Sequence, residues 1–100
     1  MKQTNKETIG TSFFGTTFTA TVQDLRKILG EPICESNDGE DKTNFEWEME
    51  TEDGEVFTVY DWKEYRRLRE DEPIEWHIGG NDSLATMNAA EELEEALASA

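Results

Sequence analysis

Apolar and polar residues alternate with a period of two from Asn44 to Trp62, in the stretch NFEWEMETEDGEVFTVYDW. Such alternation is typical of β-strands that bury one face, and Asp53-Gly54 is a preferred pair for a two-residue hairpin turn. We therefore predict two antiparallel strands joined at this turn. The register that the turn sets places four pairs on the core face: Thr51 with Val56, Met49 with Thr58, Trp47 with Tyr60, and Phe45 with Trp62.

The other face of the predicted hairpin is acidic, because Glu46, Glu48 and Glu50 alternate with the core residues of the first strand. The same register sets Glu46 opposite Asp61, and like charges in that position cost stability. Alternate residues of a strand lie ~6.7 Å apart, close to the ~6.8 Å of two steps along one DNA strand. A solvated strand face protected against aggregation would also contain charged residues. The cost of the like-charge pair favours a face selected for its charge.

Other segments carry helical or strand periods. Apolar spacing predicts a short helix over residues 22–29, with Thr21 as its N-cap and Gly30 at its end. Alternation predicts strands in SFFGTTFTATV and IEWHIGG, and a second helical pattern, capped by Asp82 or Ser83, follows them. The predicted fold class is α+β: a mainly antiparallel sheet of three to four strands, with one helix packed on it and a C-terminal helix.

The chain of 100 residues is long enough for one hydrophobic core. We predict a flexible leader over residues 1–8, a single α+β domain over residues 9–82, and an acidic C-terminal helix over residues 83–100. The chain has 24 acidic and 9 basic residues, and its net charge is −15. Residues 31–55 alone hold eleven acidic residues against one basic residue. Such a field repels nucleic acid and anionic membranes and attracts basic surfaces.

Residues suited to catalysis are sparse, since the chain has one histidine, one cysteine and no serine in a nucleophile elbow. Asp38, Glu40 and Asp41 form an oxygen-rich loop, but their spacing does not match a twelve-residue calcium loop. We expect neither catalytic residues nor a bound metal or cofactor. The lone Cys34 and the absence of a long apolar run favour the cytoplasm.

Several short motifs lie in and between the predicted elements: Gly30-Glu31-Pro32, Glu46-Trp47-Glu48, Glu52-Asp53-Gly54, Tyr60-Asp61-Trp62-Lys63 and Trp76-His77-Ile78-Gly79-Gly80. Together they resemble a pattern found in small acidic bacteriophage proteins. The resemblance covers about residues 13 to 82 and implies a protein made by a phage in an infected bacterium. It implies no activity and no catalytic residues.

Acidic phage proteins of this size are similar, as a class, to inhibitors of host defence. The expected function is a non-enzymatic protein that binds and inhibits a basic nucleic-acid-binding host protein, such as a nuclease, with DNA mimicry as its candidate mechanism. We expect no direct contact with nucleic acid or membrane. Formation of a homodimer remains an open alternative. The expected partner-binding residues are Glu46, Glu48, Glu50, Glu52, Asp53, Glu55, Asp38, Glu40 and Asp41.

Two alternatives remain open at this point. One is a module that binds and sequesters a small molecule or nucleotide, which would need a concave pocket beside the WHIGG segment. The other is a structural phage component, which would form a stable homo-oligomer. The residues expected for the ligand-binding alternative are Trp62, Lys63, His77, Gly79 and Gly80.

Overall fold

A computed structural model describes residues 1–100 and confirms the α+β class. Six strands form one antiparallel sheet, and two helices pack against the apolar core on one of its faces. The elements in chain order are β1 (Lys2–Gln3), β2 (Ser12–Ala20), α1 (Val22–Leu29), β3 (Cys34–Glu35), β4 (Phe45–Glu50), β5 (Val56–Tyr60), β6 (Ile74–Gly80) and α2 (Ser83–Ser99).

The strand order is β1-β4-β5-β6-β2, and β3 also pairs with β4. The sheet therefore has more strands than the predicted three to four. The two additional strands, β1 and β3, have two residues each and both pair with β4. A two-residue strand shows no measurable alternation, so the sequence pattern could not reveal either one.

The β4–β5 hairpin is confirmed, but the predicted two-residue turn is wrong. The connection is a three-residue loop, in which the Thr51 amide donates to the Glu55 carbonyl at 2.9 Å. The Gly54 amide donates to the Thr51 carbonyl at 2.9 Å, and Gly54 has a φ of 83°. This is a type I turn followed by a left-handed residue, a common hairpin loop that favours glycine.

The longer loop shifts the register by one residue and exchanges the faces of β5. Phe57 and Val59 are fully buried in the core, whereas Tyr60 and Trp62 lie outside it. The predicted core pairs are therefore wrong on the β5 side, although Phe45, Trp47 and Met49 do lie in the core. The observed pairs are Glu46 with Tyr60, Trp47 with Val59, Glu48 with Thr58, Met49 with Phe57, and Glu50 with Val56.

Two buried tryptophans organise the core. The rings of Trp47 and Trp76 meet edge to face, with centroids 5.6 Å apart. Each indole N–H has a backbone acceptor, at 2.8 Å for Trp47 with Gly30 and 2.9 Å for Trp76 with Ala20. These bonds tie both ends of α1 to the sheet, because Ala20 precedes the helix and Gly30 ends it.

The predicted helix over residues 22–29 is confirmed. The Thr21 hydroxyl accepts from the Asp24 amide at 3.0 Å, and the Asp24 carboxylate accepts from the Thr21 amide at 3.3 Å. This reciprocal capping satisfies amides that have no partner within the helix. On the outer side of α1, Arg26 bridges Glu31, Glu35 and Glu70, which fixes the helix to β3 and to the loops that contain Glu31 and Glu70.

The predicted C-terminal helix is α2, and Asp82 is its N-cap, accepting from the Ala85 amide at 2.7 Å. Three of its four buried residues are small, and Leu84 and Met87 are exposed. Small side chains let the helix lie close to the sheet: a methyl group on Gly80 would come within 2.8 Å of Thr86. The buried residues of α2 are Ala85, Thr86, Ala89 and Leu93.

Asp61 does not lie opposite Glu46 as predicted. It is fully buried and accepts hydrogen bonds from the backbone amides of Asn44 and Phe45, each at 2.8 Å. It also accepts from the Asn44 side-chain amide at 3.1 Å. The carboxylate thus caps the start of β4, where the chain enters the hairpin, and the like-charge pair with Glu46 does not form.

The segment predicted as a flexible leader, residues 1–8, lies along β4 instead. Lys2 and Gln3 pair with Glu50 and Met49, and the Thr4 amide donates to the Glu48 carbonyl at 3.2 Å. The segment is polar because it covers a charged face of the sheet, so an apolar period was not needed to hold it there.

Candidate functional site

The glutamate row of β4 is covered rather than exposed. Glu50 is 7% exposed, and Glu46 and Glu48 are half-buried. The N-terminal segment supplies partners to two of the three carboxylates. The predicted solvent-facing row of Glu46, Glu48 and Glu50 is therefore wrong in its exposure, because residues 1–8 fold over it.

Hydroxyl groups and lysines of the N-terminal segment provide partners for the end of the row nearest the hairpin loop. Glu50 accepts from the Thr4 hydroxyl at 2.7 Å and lies 3.5 Å from the Lys2 ammonium and 3.7 Å from that of Lys6. The hydrogen bond from Thr4, opposed by burial and helped by both lysines, lowers the pKa of the Glu50 carboxyl. Glu48 accepts from the Thr8 hydroxyl at 2.8 Å.

An exposed acidic surface forms elsewhere, where the β4–β5 loop meets α2. The Glu52 amide donates to the Glu92 carboxylate at 3.3 Å, which brings two acidic segments of the sequence together. The positive groups that reach this surface are the N-terminal ammonium, 3.7 Å from Glu92, and Lys6, which donates to the Gly54 carbonyl at 2.8 Å. We call this surface the acidic ridge; its members are Glu52, Asp53, Glu91, Glu92 and Glu95.

The remaining predicted partner-binding residues lie apart from the ridge. Asp38, Glu40 and Asp41 are exposed in the loop before β4, at the opposite end of that strand from Glu52. Five residue steps along β4 correspond to ~17 Å. Glu55 follows the hairpin loop and is half-buried. The predicted continuous face, from loop through row to turn, is therefore divided into two exposed acidic regions.

A cavity opens on the outer face of the sheet, next to the unneutralised end of the glutamate row. Its volume is about 310 Å³. Glu46 lies in its wall together with Tyr60 and Trp62, and hydroxyl-bearing side chains surround them. The remaining lining residues are Thr8, Ile9, Thr11, Ser12, Thr43, Thr58 and Gly79.

Glu46 differs from the other two glutamates because its carboxylate accepts no hydrogen bond from the N-terminal segment, and like Glu48 it has no cationic partner. No lysine, arginine or histidine lies within 4.0 Å of its carboxylate. Burial raises the pKa of the Glu46 carboxyl, and the neighbouring Glu48 raises it further. Burial and the nearby Glu46 charge also raise the pKa of the Tyr60 phenol.

Aromatic side chains line the sheet surface beside the cavity. Phe13 stacks on His77 with ring centroids 3.9 Å apart, and the Trp62 ring lies 6.2 Å from that of His77. Tyr60 meets both Trp62 and His77 edge to face. Burial lowers the pKa of His77, partly opposed by Glu75, so the imidazole is neutral at neutral pH.

No protein family, curated protein or solved structure matches this chain. Neither helix is long and apolar enough to cross a membrane. The fold creates two surfaces that could bind a partner or a ligand, the acidic ridge and the cavity.

The structure brings together some residues of the ligand-binding alternative and separates others. Trp62 and Gly79 line the cavity, and the Lys63 ammonium lies 5.6 Å from the Trp62 ring centroid. His77 lies behind them in the aromatic group. Gly80, by contrast, contacts Thr86 of α2 on the helix side of the sheet and is not part of the site.

Sequence reasoning missed Glu46, Thr58 and Tyr60 as cavity residues. With the predicted register, Thr58 and Tyr60 belonged to the core and Glu46 to an open acidic face. The correct register would have placed Thr58 and Tyr60 on the outer face together with Glu46. The contribution of residues 8–12 carried no sequence signal, because their position depends on how the N-terminal segment crosses the sheet.

We expect Glu46→Gln to stabilise the protein at neutral pH. A raised pKa in the folded state means that folding favours the protonated form, so stability falls as pH rises above the ordinary glutamate range of about 4.3. Removing the ionised carboxylate should raise the free energy of unfolding at pH 7 by about 0.5–1 kcal/mol. The gain should largely vanish at pH 4, where urea denaturation would compare both proteins. Equal gains at both pH values would contradict this explanation.

Proposed function

We propose that this chain is a non-enzymatic binding protein that inhibits a basic nucleic-acid-binding protein by covering its nucleic-acid groove. The acidic ridge is the binding surface in this proposal, and the resemblance to phage proteins indicates a host defence protein, such as a nuclease, as the partner. The place of action would be the cytoplasm of the infected bacterium.

The observation that carries the proposal is the contact between Glu52 and Glu92. It joins the hairpin loop to α2, so that five carboxylates face two positive groups on one surface. Like charges repel, so a fold that gathers carboxylates makes the local electrostatic potential more negative at a cost in stability. A basic groove would relieve that repulsion on binding, which gives fast, salt-dependent association.

Carboxylate spacing on α2 is compatible with DNA mimicry. Glu91 and Glu95 are both exposed and are one helical turn apart. Four residues of α-helix rise ~6 Å, near the ~6.8 Å of two steps along a DNA strand. The ridge replaces the β4 row as the proposed mimic, because the row is covered by residues 1–8.

The test is affinity capture from a bacterial lysate, with mass spectrometry, at low and high salt. We expect a basic nucleic-acid enzyme to be recovered at 50 mM salt, and to be lost on addition of DNA or at about 500 mM salt, where the screening length is only a few ångströms. Recovery that is equal at both salt concentrations and in the presence of DNA would contradict the proposal.

Variants of the captured complex locate the surface. Changing Glu52, Glu91 and Glu95 to glutamine should weaken binding about tenfold, mainly through slower association. The matched control changes Glu7, Glu75 and Glu94 to glutamine. It alters net charge by the same amount at exposed positions off the ridge. Equal losses in the two triple variants would show a general charge effect rather than a ridge.

The cavity supports a second candidate function, the binding of a small ligand. A concave pocket beside the WHIGG segment was the requirement of this alternative, and the cavity lies between Trp62 and Gly79. Its volume of about 310 Å³ is at the lower end of ligand pockets, which span roughly 300–1,000 Å³. A ligand the size of one side chain fits this volume better than a nucleotide.

A further inference from the structure

The cavity has a specific chemical character beyond its shape. The one formal charge in its wall is the Glu46 carboxylate, and the rest of its polar lining consists of hydroxyl groups. The chain as a whole has a net charge of −15. An anionic ligand would therefore meet repulsion both from the wall and from the protein field.

The Glu46 carboxylate has neither a hydrogen-bond donor nor a cation beside it, which points to a missing partner. Glu48 and Glu50, two and four residues along the same strand, have hydroxyl or ammonium partners from the N-terminal segment. Glu46 has no cation and opens into the cavity. A half-buried carboxylate is stabilised by an opposite charge that also donates hydrogen bonds.

Aromatic rings complete a site for an organic cation. Tyr60 pairs with Glu46 across the strands, and Trp62 lies beside Tyr60 with ring centroids 6.0 Å apart. Ring faces attract ammonium and guanidinium groups within about 6 Å. Two lysines of the chain already lie near the Trp62 ring, Lys42 at 5.8 Å and Lys63 at 5.6 Å from its centroid.

We propose that the cavity binds an organic cation, a guanidinium or ammonium group, with Glu46 as its counter-ion and Tyr60 and Trp62 as its aromatic wall. The surrounding hydroxyls of Thr58 and Thr8 offer further acceptors for the N–H groups of the ligand. The wall contains one carboxylate and no histidine or cysteine, and no group of three or more such side chains that could hold a metal ion occurs in the chain, so an organic cation suits this wall better than a metal ion.

This inference deepens the ligand-binding function and does not depend on the acidic ridge. The cation can belong to a free small molecule or to an arginine or lysine side chain of a partner. The chemistry at Glu46 is the same in both cases, so the site is tested first with a small probe and the source is tested afterwards.

The experiment titrates the ¹⁵N-labelled protein with Nα-acetylarginine amide and follows the Trp62 indole N–H signal by NMR. Trp47 and Trp76 are fully buried, so their indole signals serve as internal references. We expect the Trp62 signal to shift with a dissociation constant on the order of 1 mM, as for a ligand of this size. The neutral isostere, Nα-acetylcitrulline amide, should bind at least about tenfold more weakly.

Three variants test the assigned roles. Glu46→Gln keeps the side-chain shape and should weaken binding of the arginine amide about tenfold, whereas Glu94→Gln, exposed on α2, should leave it unchanged. Trp62→Leu removes the aromatic wall at a position that is 39% exposed, and should weaken binding several-fold, followed through the Glu46 amide signal.

The outcomes separate this inference from the functions proposed above. Equal binding of the citrulline analogue, or no effect of Glu46→Gln, would overturn the cation site and leave ligand binding in place. Failure of both probes to shift Trp62 would also overturn the cation site, without bearing on the ridge. If Glu46→Gln lowers the affinity of a captured partner protein, the cation is a side chain of that partner. If partner affinity is unchanged while the arginine amide still binds, the cation is a free small molecule.

Discussion

Replacement of Asp61 by alanine should lower the free energy of unfolding by about 2–4 kcal/mol. The fully buried carboxylate accepts from two backbone amides and one side-chain amide, and all of these lie at the start of β4. Alanine would leave these donors buried without acceptors, and the cost of an unpaired buried donor exceeds that of a lost surface bond. Urea denaturation at pH 7 measures the change.

A matched control distinguishes this anchor from general charge effects. Asp71 is likewise an aspartate, but it forms a surface ion pair with Arg69. The side chains of Asp71 and Arg69 are both 75% exposed. Asp71→Ala should change stability by less than about 0.5 kcal/mol. Asp61→Asn should fall between wild type and Asp61→Ala, because it retains one acceptor oxygen. Similar losses for Asp61→Ala and Asp71→Ala would contradict the buried-anchor interpretation.

Deletion of residues 2–8 should also destabilise the protein strongly, by about 2–3 kcal/mol. The estimate counts three hydrogen bonds at about 1 kcal/mol each: Thr4 amide to Glu48 carbonyl at 3.2 Å, and the Gln3 side chain to the carbonyls of Glu31 at 2.8 Å and Leu29 at 3.3 Å. If these residues were a flexible leader, as predicted from the sequence, their removal would not change the free energy of unfolding. Thermal and urea denaturation of the shortened chain would decide between the two.

A double point variant checks the deletion without shortening the chain. Thr4→Ala with Thr8→Ala removes the hydroxyl groups that donate to Glu50 and Glu48, whereas Asn5→Ala changes an exposed residue of the same segment. We expect the double variant to be less stable than Asn5→Ala. If the deletion and both point variants all leave stability unchanged, the segment does not hold the glutamate row.

Local patterns were sufficient for the elements that carry their own signals. The capped helix over residues 22–29 follows from Thr21, Asp24 and Gly30, which are neighbours in sequence, and the structure has the same boundaries. The four longer strands and the α+β class follow in the same way from alternation, whereas the two-residue strands β1 and β3 do not. The acidic composition was equally evident, but composition could not say which carboxylates meet solvent.

The candidate sites depended on packing that no local pattern records. The acidic ridge joins Glu52 to Glu92, forty residues apart, and the cavity is completed by residues 8–12, where the chain runs from the N-terminal segment into β2. Both sites are formed by segments that are far apart in the sequence, and no periodic pattern in one segment predicts its contact with the other. The sequence indicated Trp62 and Gly79, but it placed Tyr60 in the core and Glu46 on an open face.

By itself, the sequence determined an α+β chain with a capped helix, a hairpin at Asp53-Gly54 and a large negative charge. Only the tertiary structure decided the hairpin register. The physical reason lies in β5, whose sequence VFTVY offers apolar side chains on both faces, so that its own pattern suits either register. Burial of Phe57 and Val59 against the helices selected one of them, and this choice turned Tyr60 toward Glu46 and created the cavity.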